Sequence, residues 1–372
     1  MNKIIYYFLF LIKIILKFRL ELHKPRQKKY LIIDKPVNDF FKIINKKDCN
    51  ILYRRGEKLN LPILIECILE LKMNSLNYHL KYIKYSKPKL IITFFDSIKL
   101  FYLLSELTKI KTLMFQYGSK SNGVGIFSKK NFNSKKNYKK FFVDYIFVHN
   151  ISVSNIFNKF VRGKKIVIGT IQNNFCNLQN KKKKEILLLS NYRPLSKSWN
   201  KGDELVIKQI YNLSKKNNVK FNILGRMRKN DLAEKNYYSE IINDKFNYIS
   251  LISNPNSYDI MQKYEYVFTC FATMAKENLA RGGKTGIIFY KPYPMQKKLR
   301  NHGYGVFEGL ANNGPFWSNM IKLDSKTINK IFYFVTKGNN RNWQNARSKF
   351  IKCCMEFDLN NKTLYKIIKK NG

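Results

Sequence analysis

The chain is 372 residues long, beyond the size at which one hydrophobic core keeps growing, so two domains are expected. Its residues are 45% hydrophobic and 15% aromatic, which excludes a chain too poor in apolar surface to fold. Seventy Lys and Arg oppose 24 Asp and Glu, and the net charge of +46 favours polyanionic partners: anionic lipid, phosphorylated substrates or nucleic acid.

Part of the Lys excess also fits the codon drift of an AT-rich genome, because Ile and Asn are abundant as well. Cys49, Cys67, Cys176, Cys270, Cys353 and Cys354 are scattered, without a Cys-x-x-Cys pair, and only four histidines accompany them. A disulfide framework and a zinc site are both disfavoured, and reduced cysteines in a cytoplasmic compartment are expected.

The chain opens with an apolar run, Ile4 to Ile12, that resumes from Ile14 to Leu16 and is closed by Lys17 and Arg19. It is shorter than the ~20 apolar residues of a spanning helix. Helical spacing places Lys3, Lys13, Lys17, Glu21 and Lys24 on one narrow stripe, so residues 1–24 read as a helix lying in the membrane interface. A removed secretory signal is the rival, but no small-residue cleavage site follows.

From residue 29, short β-type runs alternate with helical ones. Strands are predicted at Lys29 to Asp34, Asn50 to Arg54, Lys89 to Phe95, Thr112 to Gln116, Tyr145 to His149 and Ile166 to Ile168. Helices are predicted between them at Val37 to Asn45, Pro62 to Tyr85, Ser97 to Thr108 and Ser152 to Val161. Continuous apolar strands flanked by helices describe a parallel sheet buried on both faces.

Gln172 to Lys184 is polar and ends in four lysines, the composition of a linker. The alternation then restarts, with strands at Ile186 to Ser190, Val219 to Leu224, Tyr248 to Leu251, Tyr266 to Cys270 and Thr285 to Phe289. The matching helices are Asp203 to Lys216, Asp231 to Ile242, Ser257 to Tyr264, Thr273 to Arg281 and Ser325 to Thr336, and the chain stays helical toward Lys370. The fold class is therefore α/β, with two doubly wound domains at 25–175 and 185–345, a linker at 176–184 and a helical tail at 346–372.

In such sheets ligands bind beyond the carboxyl ends of the strands. The residues there are Asp96, Gln116 with Gly118, and His149 in the first domain, then Arg193, Arg226 and the stretch Cys270 to Gly283 in the second. Thr273 stands where it would cap a helix, and Glu277 follows one turn later. A helix start suits a diphosphate, and a carboxylate one turn in accepts from ribose hydroxyls.

Tyr145 to Asn150, Ile166 to Thr170, Thr273 to Thr285 and Asn313 to Asn319 together resemble the bacterial surface-carbohydrate (O-antigen or capsule) biosynthesis family with the GT-B fold, over about residues 25 to 345. The resemblance implies two Rossmann-like domains facing a cleft, and a transferase that uses a nucleotide-sugar as co-substrate. Gln116-Tyr117-Gly118 is similar to the Gln-His-Gly of related transferases, with Tyr117 in place of the polar residue.

No Asp-x-Asp motif occurs, so the diphosphate is expected to be neutralised by protein groups without a metal. Arg193, Arg226, Thr273, Glu277 and Arg281 are the candidate donor-binding residues, with Lys229 a weaker one. Asp96 is the first candidate general base and His149 the second, although Asp96 also reads as a cap for the next helix. His302, in the Gly-rich loop Asn301 to Gly309, and Trp317 are expected to line the cleft with Gln116 and Gly118.

The reading that follows is a peripheral transferase at the cytoplasmic face of the inner membrane, acting on a lipid-linked or glycan acceptor. Transfer of a polyol phosphate from a CDP-polyol is the alternative, because CDP-glycerol phosphotransferases share the fold. A basic nucleic-acid-binding protein is disfavoured, since lysines spread through both domains and no such motif occurs. A silent membrane scaffold that kept the fold is the remaining rival.

Overall fold

A computed structural model describes residues 19–54, 57–118, 141–176, 182–194, 200–254, 256–293, 295, 297 and 309–372. The first sheet is built from β2 (Tyr30–Ile33), β3 (Cys49–Leu52), β5 (Leu90–Thr93), β6 (Lys111–Phe115), β7 (Phe141–Val148) and β8 (Val161–Val167). They run parallel in the order β3-β2-β5-β6-β7-β8. β2 and β5 are buried along their whole length, as their unbroken apolar sequences require when helices cover both faces.

One face carries α1 (Leu61–Leu69), α2 (Ser75–Ser86), α3 (Lys99–Leu107) and α4 (Ile151–Phe160), whose Ile63, Tyr82, Phe101 and Phe157 pack with Leu31 and Ile91. The predicted helix from Pro62 to Tyr85 is therefore two. Leu71 adopts φ 53°, and Asn74 caps the second helix through its side chain. The stretch Val37 to Asn45 forms a 3-10 turn over Asn38–Lys42 rather than an α-helix.

The second sheet follows the same plan: β9 (Lys183–Leu189), β10 (Phe221–Leu224), β11 (Asn247–Ile249), β12 (Tyr264–Thr269), β13 (Lys284–Tyr290) and β14 (Trp317–Met320), ordered β11-β10-β9-β12-β13-β14 and parallel throughout. α5 (Ile171–Asn174) precedes β9, and between the strands come α6 (Asp203–Lys216), α7 (Asp231–Ile242), α8 (Ser257–Met261) and α9 (Thr273–Ala280). α6 and α7 have the predicted limits, whereas β14 was not predicted. The polar stretch Gln172 to Lys184 begins with α5 and ends inside β9, and 177–181 lie outside the described residues.

Order reverses between β2 and β5 in one sheet and between β9 and β12 in the other. The same device closes both reversals. Thr93 Oγ1 donates to the Ile33 carbonyl at 3.2 Å, and Thr269 Oγ1 donates to the Leu189 carbonyl at 3.2 Å. A β-branched hydroxyl residue suits the end of a buried strand, because its O–H donates to the carbonyl left where the ladder stops.

After α10 (Ser325–Lys337) and α11 (Asn340–Cys354), α12 (Lys362–Asn371) returns to the first domain. Its Leu364 and Ile368 are buried against Tyr30, Ile32 and Leu90. α12 is thus part of the first domain's second face, whereas Phe350 and Cys354 of α11 are buried in the core of the second domain.

Residues 1–18, which hold the predicted interfacial run, lie outside the described residues. Arg19–Glu21 is not the end of a helix but a strand, β1, paired in parallel with β4 (Lys58–Asn60). Among the described residues, no helix is long and apolar enough to cross a membrane.

Candidate functional site

The carboxyl ends of β5 to β8 meet the first turn of α9 around a cavity of about 190 Å³. Its floor is apolar. Phe94, Phe115 and Phe147 leave three adjacent strands and stack face to face, with ring centroids 4.8 and 4.7 Å apart. His149, Gly169, Thr170, Gln172 and Thr273 form the rest of the wall. Gly169, at φ 71°, has no room for a Cβ, which would collide with the Glu356 carbonyl where the returning chain crosses.

Gln116 lines this cavity, but its amide is committed. Nε2 donates to the Gly118 carbonyl and Oε1 accepts from the His149 N–H, both at 2.8 Å. The residue is a clamp between two loops. His149 also accepts, at its carbonyl, from the Glu356 N–H, so its backbone is fixed on both sides beside the cavity it lines.

Asp96 is completely buried, and its Oδ2 accepts from the Tyr117 N–H at 3.3 Å. It does not cap the next helix: Ile98 holds that position, without a side-chain cap. It therefore organises the loop that carries Gln116 to Gly118 and is not among the residues lining the cavity, whereas His149 is.

Thr273 is not the cap of α9. Ala272 is, and its N–H is taken by Thr269 Oγ1 at 3.0 Å. Thr273 is the first helical residue, exposed to the cavity.

Glu277 is buried, and both its oxygens are held by hydroxyls of this chain. Thr170 Oγ1 donates to Oε1 at 2.6 Å and Tyr258 Oη to Oε2 at 2.8 Å. Burial pushes the carboxyl above its ordinary range, against the two hydroxyls and nearby Arg281, which lower it. Burial and the adjacent carboxylate also push the Tyr258 hydroxyl well up, so it stays a donor. Asn173, wholly buried in α5, adds a bond to the Glu277 carbonyl at 3.1 Å.

The arginines divide by environment. Arg226 is exposed just past β10, and Arg193 is half-buried past β9. Arg281 is half-buried at the far end of α9, one turn beyond Glu277 and away from the helix start, and its Nε and Nη2 are buried without a hydrogen-bond partner. Lys229 is exposed. His302 lies outside the described residues.

Trp317 does not line the cleft. It is buried in β14 against Phe316 and Phe350, with Nε1 donating to the Ala311 carbonyl at 3.0 Å.

Three groups at this edge were missed in the sequence. Glu234 of α7 is fully buried and accepts from Ser190 Oγ and from the N–H groups of Arg226 and Met227, so it fills the anion nest of the β10 loop itself. Lys291 and Asp203 form a buried pair at 2.7 Å beneath the ends of β12 and β13. Arg347 of α11 donates to the carbonyls of Leu279 and Ala280, both at 2.6 Å, satisfying the end of α9. Each stands in a polar helix or after an apolar strand, where composition carries no signal. Among the described residues, no three His, Cys, Asp or Glu side chains gather as a metal requires.

The fold is shared with solved structures. The spinosyn rhamnosyltransferase SpnG complexed with thymidine diphosphate is 8% identical, with a TM-score of 0.51 over 92% of this chain and 99% of that one. The wall teichoic acid polymerase TagF is 13% identical, with a TM-score of 0.50 over 93% of this chain and 89% of that one. MurG of Acinetobacter baumannii is 12% identical, with a TM-score of 0.49 over 92% and 99%. At these identities the likeness to the first two is one of fold, the two-domain GT-B arrangement. No curated protein matches the chain in sequence. Residues 113–372 match the family model described as "putative O-antigen biosynthesis protein", well over half of the chain, and the chain belongs to that family.

Proposed function

We propose that the chain is a GT-B-type glycosyltransferase of O-antigen or related surface-polysaccharide assembly. It transfers a sugar from a nucleotide-activated donor to a lipid-linked or glycan acceptor, without a metal. The observation that carries the reading is the cavity itself, where the strand ends of the first domain face the exposed start of α9. A helix start with its N–H groups open to a cleft attracts a diphosphate, and Arg193 and Arg226 lie past neighbouring strands of the same sheet. The donor then occupies the second domain, with Glu277 taking ribose hydroxyls in place of Thr170 and Tyr258. His149 on the opposite wall is placed to receive the acceptor proton.

The missing Asp-x-Asp motif supports neutralisation of the leaving diphosphate by arginine. The apolar start of the sequence with its basic stripe, and the net charge of +46, support a peripheral position at the cytoplasmic face of the inner membrane.

Thermal denaturation of the full chain with UDP-, dTDP-, GDP- and CDP-linked donors tests the first part, since a ligand of the folded state raises the midpoint. The fold shared with a teichoic acid polymerase keeps a second reading, polyol-phosphate transfer. Products made from donors labelled at the β-phosphorus separate the two: phosphorus retained in the product identifies the second. Flotation with anionic vesicles at rising salt tests the membrane assignment, which predicts release as the charges are screened.

A further inference from the structure

Tyr117 is the residue at which this chain departs from the polar middle position of its resemblance motif, and it is 60% exposed although Gln116 before it is buried. Tyr117 borders the cavity together with Phe115, Gln116 and Gly118. The ring is not loose. Its face lies against Phe95, with centroids 4.8 Å apart at 38°. Its N–H is held by Asp96, and the residues on either side are tied together by the Gln116 amide. Gln116 is in turn fixed to the first sheet through the Phe147 carbonyl and the His149 N–H.

The cavity beneath is amphipathic. Its floor is the stack of Phe94, Phe115 and Phe147, and its polar wall carries His149, Gln172 and Thr273. At about 190 Å³ it is smaller than the ~300–1,000 Å³ of sites that enclose drug-sized ligands. That is room for one ring and not for a whole nucleotide sugar. A pyranose has the matching shape: one face of electropositive axial C–H groups and an equator of hydroxyls. An aromatic face is electronegative and attracts such C–H groups, while the hydroxyls turn to the polar wall.

We propose that Tyr117 is the stacking platform of an acceptor subsite, and that this subsite takes a pyranose ring. The assignment rests on the transferase reading above and sharpens it, because it places a sugar on the first domain beside His149. An acyclic polyol phosphate has no flat C–H face and gains nothing from the platform.

The test uses the full chain and saturation-transfer NMR with methyl pyranosides of hexoses and N-acetylhexosamines, and glycerol 3-phosphate as the acyclic comparison. In the wild type, saturation reaches the ring C–H protons of at least one pyranoside and not glycerol 3-phosphate. Tyr117→Phe and Tyr117→Trp keep it. Tyr117→Ala weakens binding by about two- to tenfold, the worth of one aromatic contact. The side chain is exposed, so the variant melts with the wild type. Equal transfer in Tyr117→Ala, equal transfer to glycerol 3-phosphate, or no transfer to any pyranoside overturns the proposal. Nucleotide-induced thermal shifts are read on the same samples. Their absence in the wild type sinks the transferase reading, whereas their presence with a platform-independent NMR result sinks the subsite alone.

Discussion

Thr170 Oγ1 donates to Glu277 Oε1 at 2.6 Å, which joins the strand-end loop of the first sheet to the helix that starts at the edge of the second. The carboxylate proposed to receive the donor is thus already engaged, by a residue next to the linker. Thr170→Val removes a hydrogen bond to a buried charged group, a loss of about 1.5–3 kcal/mol. It also removes a competitor for the ribose. The variant is expected to melt below the wild type alone, yet to be stabilised more by nucleotide. Denaturation curves with and without nucleotide check both, and a smaller nucleotide shift in the variant contradicts the competition.

Glu234 and Arg226 share one loop and are expected to behave oppositely. Glu234→Ala leaves the N–H groups of Arg226 and Met227 without their acceptor inside the fold and should cost about 1–3 kcal/mol or more. Arg226→Ala, on the exposed tip, should leave stability within about 0.5 kcal/mol and weaken diphosphate binding roughly tenfold or more. Urea titration and calorimetric binding separate the two effects. An Arg226→Ala protein that binds nucleotide like the wild type removes Arg226 from the donor site.

Burial pushes the Asp203 carboxyl up to about 6, from an ordinary value of 3.8, even beside Lys291. Between those values the folded chain keeps a proton that the unfolded chain releases. The stability contributed by this group is therefore full below about pH 4 and is lost as the pH rises to 6, by up to about 3 kcal/mol. Asp203→Asn does not titrate, so the wild type should lose ground to it across that window. Urea midpoints measured from pH 4 to 7 give the comparison, and parallel curves would refute the shift.

Phe147 is 1% exposed and stacks on Phe115 under the cavity. Phe147→Ala should cost about 3–5 kcal/mol through lost burial and the void it leaves. Phe147→Leu should cost less and still disturb the cavity floor. If Phe147→Ala melts with the wild type, the aromatic stack is not part of the core.

Much of the architecture was legible because periodicity reports burial directly. Leu-Ile-Ile-Thr at 90–93 and Ile-Leu-Leu-Leu at 186–189 have no polar face, so they had to be strands covered on both sides. Asp203 and Asp231 mark helix starts with charge that suits the dipole, and both helices begin there. Asn74, in contrast, divided a helix that its apolar spacing made look continuous. Trp317 misled because a residue's type does not reveal which side of a strand faces solvent.

The sequence by itself determined two successive arrays of strands and helices and hence two parallel sheets, because hydrophobic pattern is local. Only the tertiary structure decided what the site residues touch. It filled the Glu277 carboxylate with Thr170 and Tyr258, committed Gln116 to two backbones, buried Asp96 and Trp317, and left Tyr117 exposed. The physical reason is that a hydrogen-bond partner is set by distance in space, and Thr170 and Glu277 are separated by 107 positions in the chain.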